Sequence, residues 1–145
     1  MQKLKLKLVT PERVVYEAEV DQVSATTEMG EITILSGHIP LVATLRAGEL
    51  RTKTDGREEL LVAGTGFIEV RPGDEVIVLA DSAEHSEELN LTVIEEAKER
   101  ARQALLEARD KEDVDFGALA AGLEKELARY RVASKKKKYK DVGKV

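Results

Sequence analysis

Two histidines, one glycine-rich loop and a terminal lysine run are the places where this chain carries residues suited to chemistry. His38 and His85 are its only histidines, and an imidazole is the side chain best placed to move a proton near neutral pH. They fall in stretches of different texture, and His38 lies between Gly37 and Pro40, where a hydrogen-bonded structural role is the commoner use. Ser36 precedes it by two residues but lacks the strand-turn-helix setting that exposes a nucleophilic serine. Glu28 and Glu31 flank Gly30 at a turn and read as solvated carboxylates. Ala63-Gly64-Thr65-Gly66-Phe67 has the glycines of a phosphate loop without the Lys-Ser/Thr pair that grips phosphate and magnesium. With no cysteine there is no thiol nucleophile, disulfide or sulfur-ligated metal site. The residues define no catalytic constellation, and neither a metal nor a cofactor is expected.

The lysine run, Lys135–Lys138, has the charge for phosphate contacts. Aromatic residues make up 3% of the chain and tryptophan is absent, so stacking platforms for bases are few. A solvated terminus is therefore preferred to a nucleic-acid site, and the expected partners include no nucleic acid. A free-standing binding module whose basic tail contacts nucleic acid is the alternative; salt-dependent retention on DNA or RNA would favour it. Charge is unevenly spread: residues 1–85 carry −6 and residues 86–145 carry +1, with eight basic groups against Asp141 in the last seventeen. An acidic body with a basic tip suggests a docking end aimed at an acidic protein surface.

The elements that position these groups change character near Ala83. Before it, Leu4, Leu6 and Leu8 alternate with lysines in a half-buried strand. Val14–Val20 follows, continued by Val23 and Ala25, then Ile32–Ile34, Leu41–Leu45, Glu49–Thr54, Arg57–Ala63, Phe67–Val70 and Glu75–Leu79. Asp55-Gly56 predicts a two-residue hairpin, since both types tolerate positive φ. Arg71-Pro72-Gly73-Asp74 predicts a second turn. Short strands at this spacing point to an all-β sandwich or barrel, with Gly30–Leu50 as its centre.

Beyond Ala83 the texture is helical. Thr92-Val93-Ile94-Glu95 fits a capping box, and Ala97, Ala101, Ala104 and Ala108 recur at helical spacing, with Glu96/Arg100 and Glu99/Arg102 as surface pairs. Asp110–Asp115 is a charged break. Phe116, Leu119, Ala120, Leu123, Leu127 and Tyr130 form a second apolar stripe. Two helices on so short a link lie antiparallel, and an alanine-rich seam holds them weakly, which makes the pair a candidate for movement. The predicted organisation is a β domain over 1–85, a helical hairpin over 86–138 and a basic tail over 139–145. The N-terminus, with three lysines and no continuous apolar stretch, is not expected to be a signal peptide, and no segment reaches transmembrane length.

Gly30-Glu31-Ile32, Gly37-His38-Ile39-Pro40-Leu41, Leu45 and Gly48 together resemble the signature of the ε subunit of bacterial F-type ATP synthase. The resemblance continues through Gly64, Gly66-Phe67-Ile68-Glu69-Val70, Pro72-Gly73 and Val78-Leu79-Ala80-Asp81, and resumes at Asp113-Val114-Asp115-Phe116 and Arg131-Val132. It implies a β + α protein: an N-terminal flattened ten-stranded β-sandwich followed by a C-terminal antiparallel α-helical hairpin. It implies a noncatalytic rotor subunit that couples the c-subunit ring to the γ shaft. Its hairpin folds back on the sandwich or extends toward the α and β subunits to block ATP hydrolysis. It further implies a peripheral place on the cytoplasmic face of a bacterial cell membrane, reached only through the complex.

Carried over residue by residue, Glu31 and the turn Ser36, Gly37, His38, Ile39, Pro40 match positions the family presents to the c ring and γ. Arg100, Arg102, Arg129, Arg131, Lys135 and Lys136 match only in charge and region as contacts to the catalytic subunits. Some relatives bind ATP through Ile/Leu-Asp-x-x-Arg-Ala with a later Arg-Ala. Here the first part reads Leu89-Asn90-Leu91-Thr92-Val93-Ile94, and only Arg100 of the arginines remains. Each missing charge-assisted hydrogen bond removes about 1.5–3 kcal/mol, so ATP binding is expected to be weak or absent.

Overall fold

The computed structural model describes residues 2–142, with side chains described through residue 135. Its strands are β1 (Leu4–Val9), β2 (Val14–Val20), β3 (Gln22–Thr27), β4 (Gly30–Leu35), β5 (Leu41–Leu45), β6 (Gly48–Thr54), β7 (Arg57–Ala63), β8 (Gly66–Arg71), β9 (Glu75–Ala80) and β10 (Ala83–His85). Two helices follow, α1 (Leu91–Glu107) and α2 (Phe116–Val142). The sequence pattern covers the first nine strands in eight runs with small shifts of boundary: β2 and β3 read as one continuous run, because the alternation carries on past the break at Asp21, and the three-residue β10 carries too little pattern to be read.

Nine of the ten strands form one path, β10-β7-β6-β3-β5-β8-β9-β1-β2, and the tenth, β4, pairs with the free side of β3. The link between β3 and β5 is a single residue pair, Thr27 opposite Leu45. There the sheet folds into two five-stranded layers, β4-β3-β6-β7-β10 and β5-β8-β9-β1-β2. At the far side Tyr16 of β2 reaches Thr52 of β6 (3.4 Å) and stacks on His85 of β10, bringing the outer strands together. This is the expected flattened ten-stranded sandwich.

Alternation decides which side chains fill it. Leu4, Leu6 and Leu8 are fully buried, and the parallel register Leu6–Val76 and Leu8–Val78 puts β9's buried valines beside them. Ile68 and Val70 of β8, Ile34 of β4, and Leu50 and Leu61 of β6 and β7 complete the core. Each buried Leu, Ile or Val contributes about 1.5–3 kcal/mol over its exposed state. The Asp55-Gly56 turn has the predicted backbone, with φ of 51° and 80°, a mirror-image turn whose twist matches its strands. Gly73 and Asp74 of the second turn also take positive φ, 87° and 60°.

Three features depart from the sequence pattern. Gly30–Leu50 is central only in part: β5 and β6 flank β3 in the middle of the strand order, but β4 pairs only with β3 and is an edge strand. Apolar alternation registers one buried face and is blind to whether a strand has one neighbour or two. Helix α1 begins earlier than Thr92: Asn90 is its cap, and its side-chain oxygen accepts from the N–H groups of Thr92 (3.1 Å) and Val93 (3.3 Å). In α2 the stripe is displaced. Phe116 and Leu127 are exposed, whereas the buried residues are Ala128, Val132 and Ala133. Small residues hide in a helix read by its large ones.

The hairpin is antiparallel and folded back on the sandwich. α1 offers α2 a seam in which Ile94 and Ala108 are buried and Ala97, Ala101 and Ala104 half-buried, and Lys98 sits 4.1 Å from the centre of the Tyr130 ring. α2 in turn covers the outer face of β7, where Val62 meets Ala128 and Val132 with Leu60 and Leu89 at the margin. Helix α2 passes residue 138, where the sequence places a basic tail, and continues to Val142; 143–145 lie outside the described residues.

Candidate docking site

The site begins with two turns at the ends of β4. At the first, Thr27 lies opposite Gly30 in the ladder. The Thr27 hydroxyl donates to the Gly30 carbonyl (2.7 Å) and accepts from the Met29 N–H (3.2 Å). Gly30 adopts φ of 105°, which a side chain would strain. This lifts Met29 into solvent, 97% exposed. At the second, the His38 N–H donates to the Leu35 carbonyl (3.1 Å) with Gly37 at φ 83°, the geometry of a type II turn with glycine at its third position. Ile39 then stands 74% exposed.

Asp74 holds this second turn. Its carboxylate accepts from the Ser36 hydroxyl and from the Gly37 N–H, both at 2.7 Å. The Gly37 N–H, with Ser36 adding to it, holds the Asp74 carboxyl below the ordinary aspartate value of 3.8. A depressed pKa means that folding favours the ionised form. The anchor is at full strength above the ordinary aspartate range and is lost as pH falls through the lower folded value. The Gly37 amide resonance should therefore titrate with an acidic midpoint below 3.8. A midpoint at or above that value would show that the turn does not depend on the carboxylate.

The other residues named from sequence find specific partners. Glu31 is ion-paired with Arg51 of β6, whose guanidinium also approaches Glu49 at 3.5 Å. The His38 Nδ1–H donates to the Ile39 carbonyl (2.6 Å), a structural use. Glu31 and the Ser36–Pro40 turn do not converge. Five residues of extended chain separate Glu31 from Ser36, roughly 16 Å, so together they form a ridge along an edge strand. Beyond that ridge, Val42, Phe67 and Leu79 are 67%, 55% and 50% exposed. Phe67 lies opposite Thr44 on one side and Leu79 on the other, on the outward face of β5-β8-β9. Apolar residues at outward positions of neighbouring strands are the sequence signal for this patch.

The hairpin cations divide into two sets. Arg100 and Arg102 lie on the exposed face of α1. Arg102 pairs with Glu99 (3.1 Å), as the spacing predicts, while Glu96 and Arg100 share a shallow groove without forming an ion pair among the described residues. Arg129 faces the sandwich and binds both oxygens of Glu84 (2.6 and 3.1 Å) and Glu126 (2.7 Å). Burial opposes its charge, but Glu84 and Glu126 outweigh that and raise its pKa. Lys135 reaches Glu49 (2.8 Å). Arg131 is exposed beside Arg46, Glu124 and Leu127, and the side chain of Lys136 lies outside the described residues. Asp74, Glu49 and Glu84 were not legible as site residues, because each acts on a segment remote in sequence.

A ten-stranded sandwich with an edge-strand ridge and a folded-back helical hairpin defines a class of small two-part proteins. Residues 3–86 match the family model for the ATP synthase delta/epsilon chain, beta-sandwich domain. The chain is 45% identical over 146 aligned positions to the ATP synthase epsilon chain of Dehalococcoides mccartyi strain BAV1, covering 98% of this chain and 100% of that one. It is 41% identical to the ATP synthase epsilon chain of Bacillus subtilis, covering 79% of this chain and 86% of that one. A chain in the Euglena gracilis mitochondrial ATP synthase structure containing OSCP, F1 and the c-ring shares the fold. It has a TM-score of 0.74 and 22% identity, over 88% of this chain and 79% of that one. This chain belongs to the ATP synthase epsilon chain family.

Among the described residues no helix is long and apolar enough to cross a membrane.

Proposed function

We propose that this chain is a noncatalytic central-stalk subunit of a proton-translocating ATP synthase. In this reading the sandwich couples the c-subunit ring to the γ subunit, and the hairpin restrains ATP hydrolysis by engaging the α and β subunits. It would act peripherally at the cytoplasmic face of a bacterial membrane, through its partners alone. The observation that carries the reading is the contrast between the two halves. The β4 ridge is stiffened by sheet pairing and by Asp74, and a coupling element needs stiffness. The hairpin is seated on a few small apolar residues and ion pairs, and a regulatory element needs release.

The membership of the epsilon chain family supports the rotor assignment, and the exposed Val42, Phe67 and Leu79 supply an apolar face for γ. Co-purification of γ with the tagged chain is the direct test; recovery of the chain without γ would refute the coupling half. Deleting residues 86–145 should leave the complex assembled and raise its ATPase rate severalfold. An unchanged rate would remove the inhibitory half and leave coupling intact.

ATP itself is expected to bind weakly or not at all. Asn90 is committed to capping α1, and Val93, at the position of the missing first arginine, is a half-exposed apolar side chain. Calorimetry of ATP into the isolated chain should show no heat at submillimolar concentrations, and saturable binding in that range would overturn this.

A further inference from the structure

Three strands on the outer face of the sandwich align one residue each into a row. Val62 of β7 lies opposite Glu49 of β6 and opposite Glu84 of β10, so the row reads acid–valine–acid. Helix α2 lays its own matching row across it. Ala128 and Val132 cover Val62, Arg129 takes Glu84 with two hydrogen bonds, and Lys135 takes Glu49. The helical positions 128, 129, 132 and 135 fall on one face by the 3.6-residue repeat. Glu126 supports Arg129 from one turn back (2.7 Å), and Arg46 adds a bond to Glu124 farther along the seam (2.6 Å).

We propose that this row is an ion-pair latch that closes the hairpin, and that an acidic protein surface opens it by competing for Arg129 and Lys135. The inference rests on the regulatory reading above and deepens it. Arg129 and Lys135 belong to the cations assigned to the catalytic-ring partners, and in the closed state they are occupied by Glu84 and Glu49. A partner can take them only by displacing the sandwich, so closing and partner binding exclude one another. The arithmetic permits this. The apolar part of the contact is small, Val62 against Ala128 and Val132 with Leu60 and Leu89 half-buried at its margin, so the charged bonds are a large share of what holds the helix down. The Arg129–Glu84 pair has the strong two-point geometry, and its arginine is only 16% exposed. The Lys135–Glu49 pair is weaker, its lysine being 49% exposed.

The test uses the full chain, which has no cysteine of its own. Spin labels at Arg57→Cys and Gly122→Cys report the hairpin-to-sandwich distance by pulsed electron paramagnetic resonance. In the parent, a short distance should dominate at low salt, and the open fraction should rise with sodium chloride. In Glu49→Gln/Glu84→Gln the open-to-closed ratio should rise about tenfold at low salt and lose most of its salt dependence, while Glu84→Asp should partly restore closure. A ten-residue polyglutamate peptide should open the parent. An unchanged distance distribution in the double variant overturns the latch, and a parent insensitive to polyglutamate overturns the competition. Neither failure touches the inhibitory reading, which the ATPase rate of the hairpin deletion decides separately.

Discussion

Replacing Gly66 by alanine is expected to destabilise the sandwich by about 3 kcal/mol or more. Gly66 opens β8 and is paired with Ala80 on one side and Leu45 on the other. A Cβ at this position would fall 1.8 Å from the Leu79 carbonyl oxygen and 2.8 Å from the Ala80 Cα. Both are backbone atoms of a paired strand, so nothing can rotate aside, and the β8–β9 ladder must separate. Gly64 is the internal contrast. There the Cβ would meet the Asp81 carboxylate at 1.9 Å and the Ser82 hydroxyl at 2.7 Å; both are side chains that can rotate, at the cost of the long bonds Asp81 accepts from Thr65 (3.2 Å) and Ser82 (3.3 Å), so Gly64→Ala should cost less. Urea unfolding of both variants checks the order. A Gly66→Ala midpoint within a few tenths molar of the parent, or above that of Gly64→Ala, would refute the account.

The second large effect is selective. Ala128 is fully buried under the hairpin against Val62, and Ala128→Trp should lift α2 from β7 while leaving the two-layer core intact. Overpacking of this kind costs about 1–3 kcal/mol, enough to undo a contact with so little apolar area. Because the chain has no tryptophan, the introduced indole reports its own fate. Solvent-exposed emission with an unchanged sandwich unfolding midpoint is the expected result. Blue-shifted, buried emission would mean that the seam accommodates the ring and is not the weak joint described. If the hairpin restrains hydrolysis, the same variant should shift the ATPase rate of the assembled complex.

Alternating leucines, glycine-bearing turns and the change of texture near Ala83 determined the two-part fold, because local periodicity and turn chemistry report one residue's surroundings faithfully. The ordered motifs from Gly30 to Val132 pointed to the family for the same reason. The Ser36–Pro40 turn was legible in outline, since Gly37 and Pro40 announce a turn wherever they stand. What holds it was not. Asp74 lies 38 residues from Ser36 and 37 from Gly37, and no spacing rule links a carboxylate to an amide that distant. The edge position of β4 was also decided in three dimensions, by which strands meet: β3 is its one partner, while β3 also pairs with β6 and, through Thr27–Leu45, with β5. So was the division of the cations. Arg102 and Arg129 each have an acid three residues before them, Glu99 and Glu126, and look alike in sequence. Only the packing of α2 on β7 turns one outward and locks the other onto Glu84, because burial and partner choice are set by which surfaces meet.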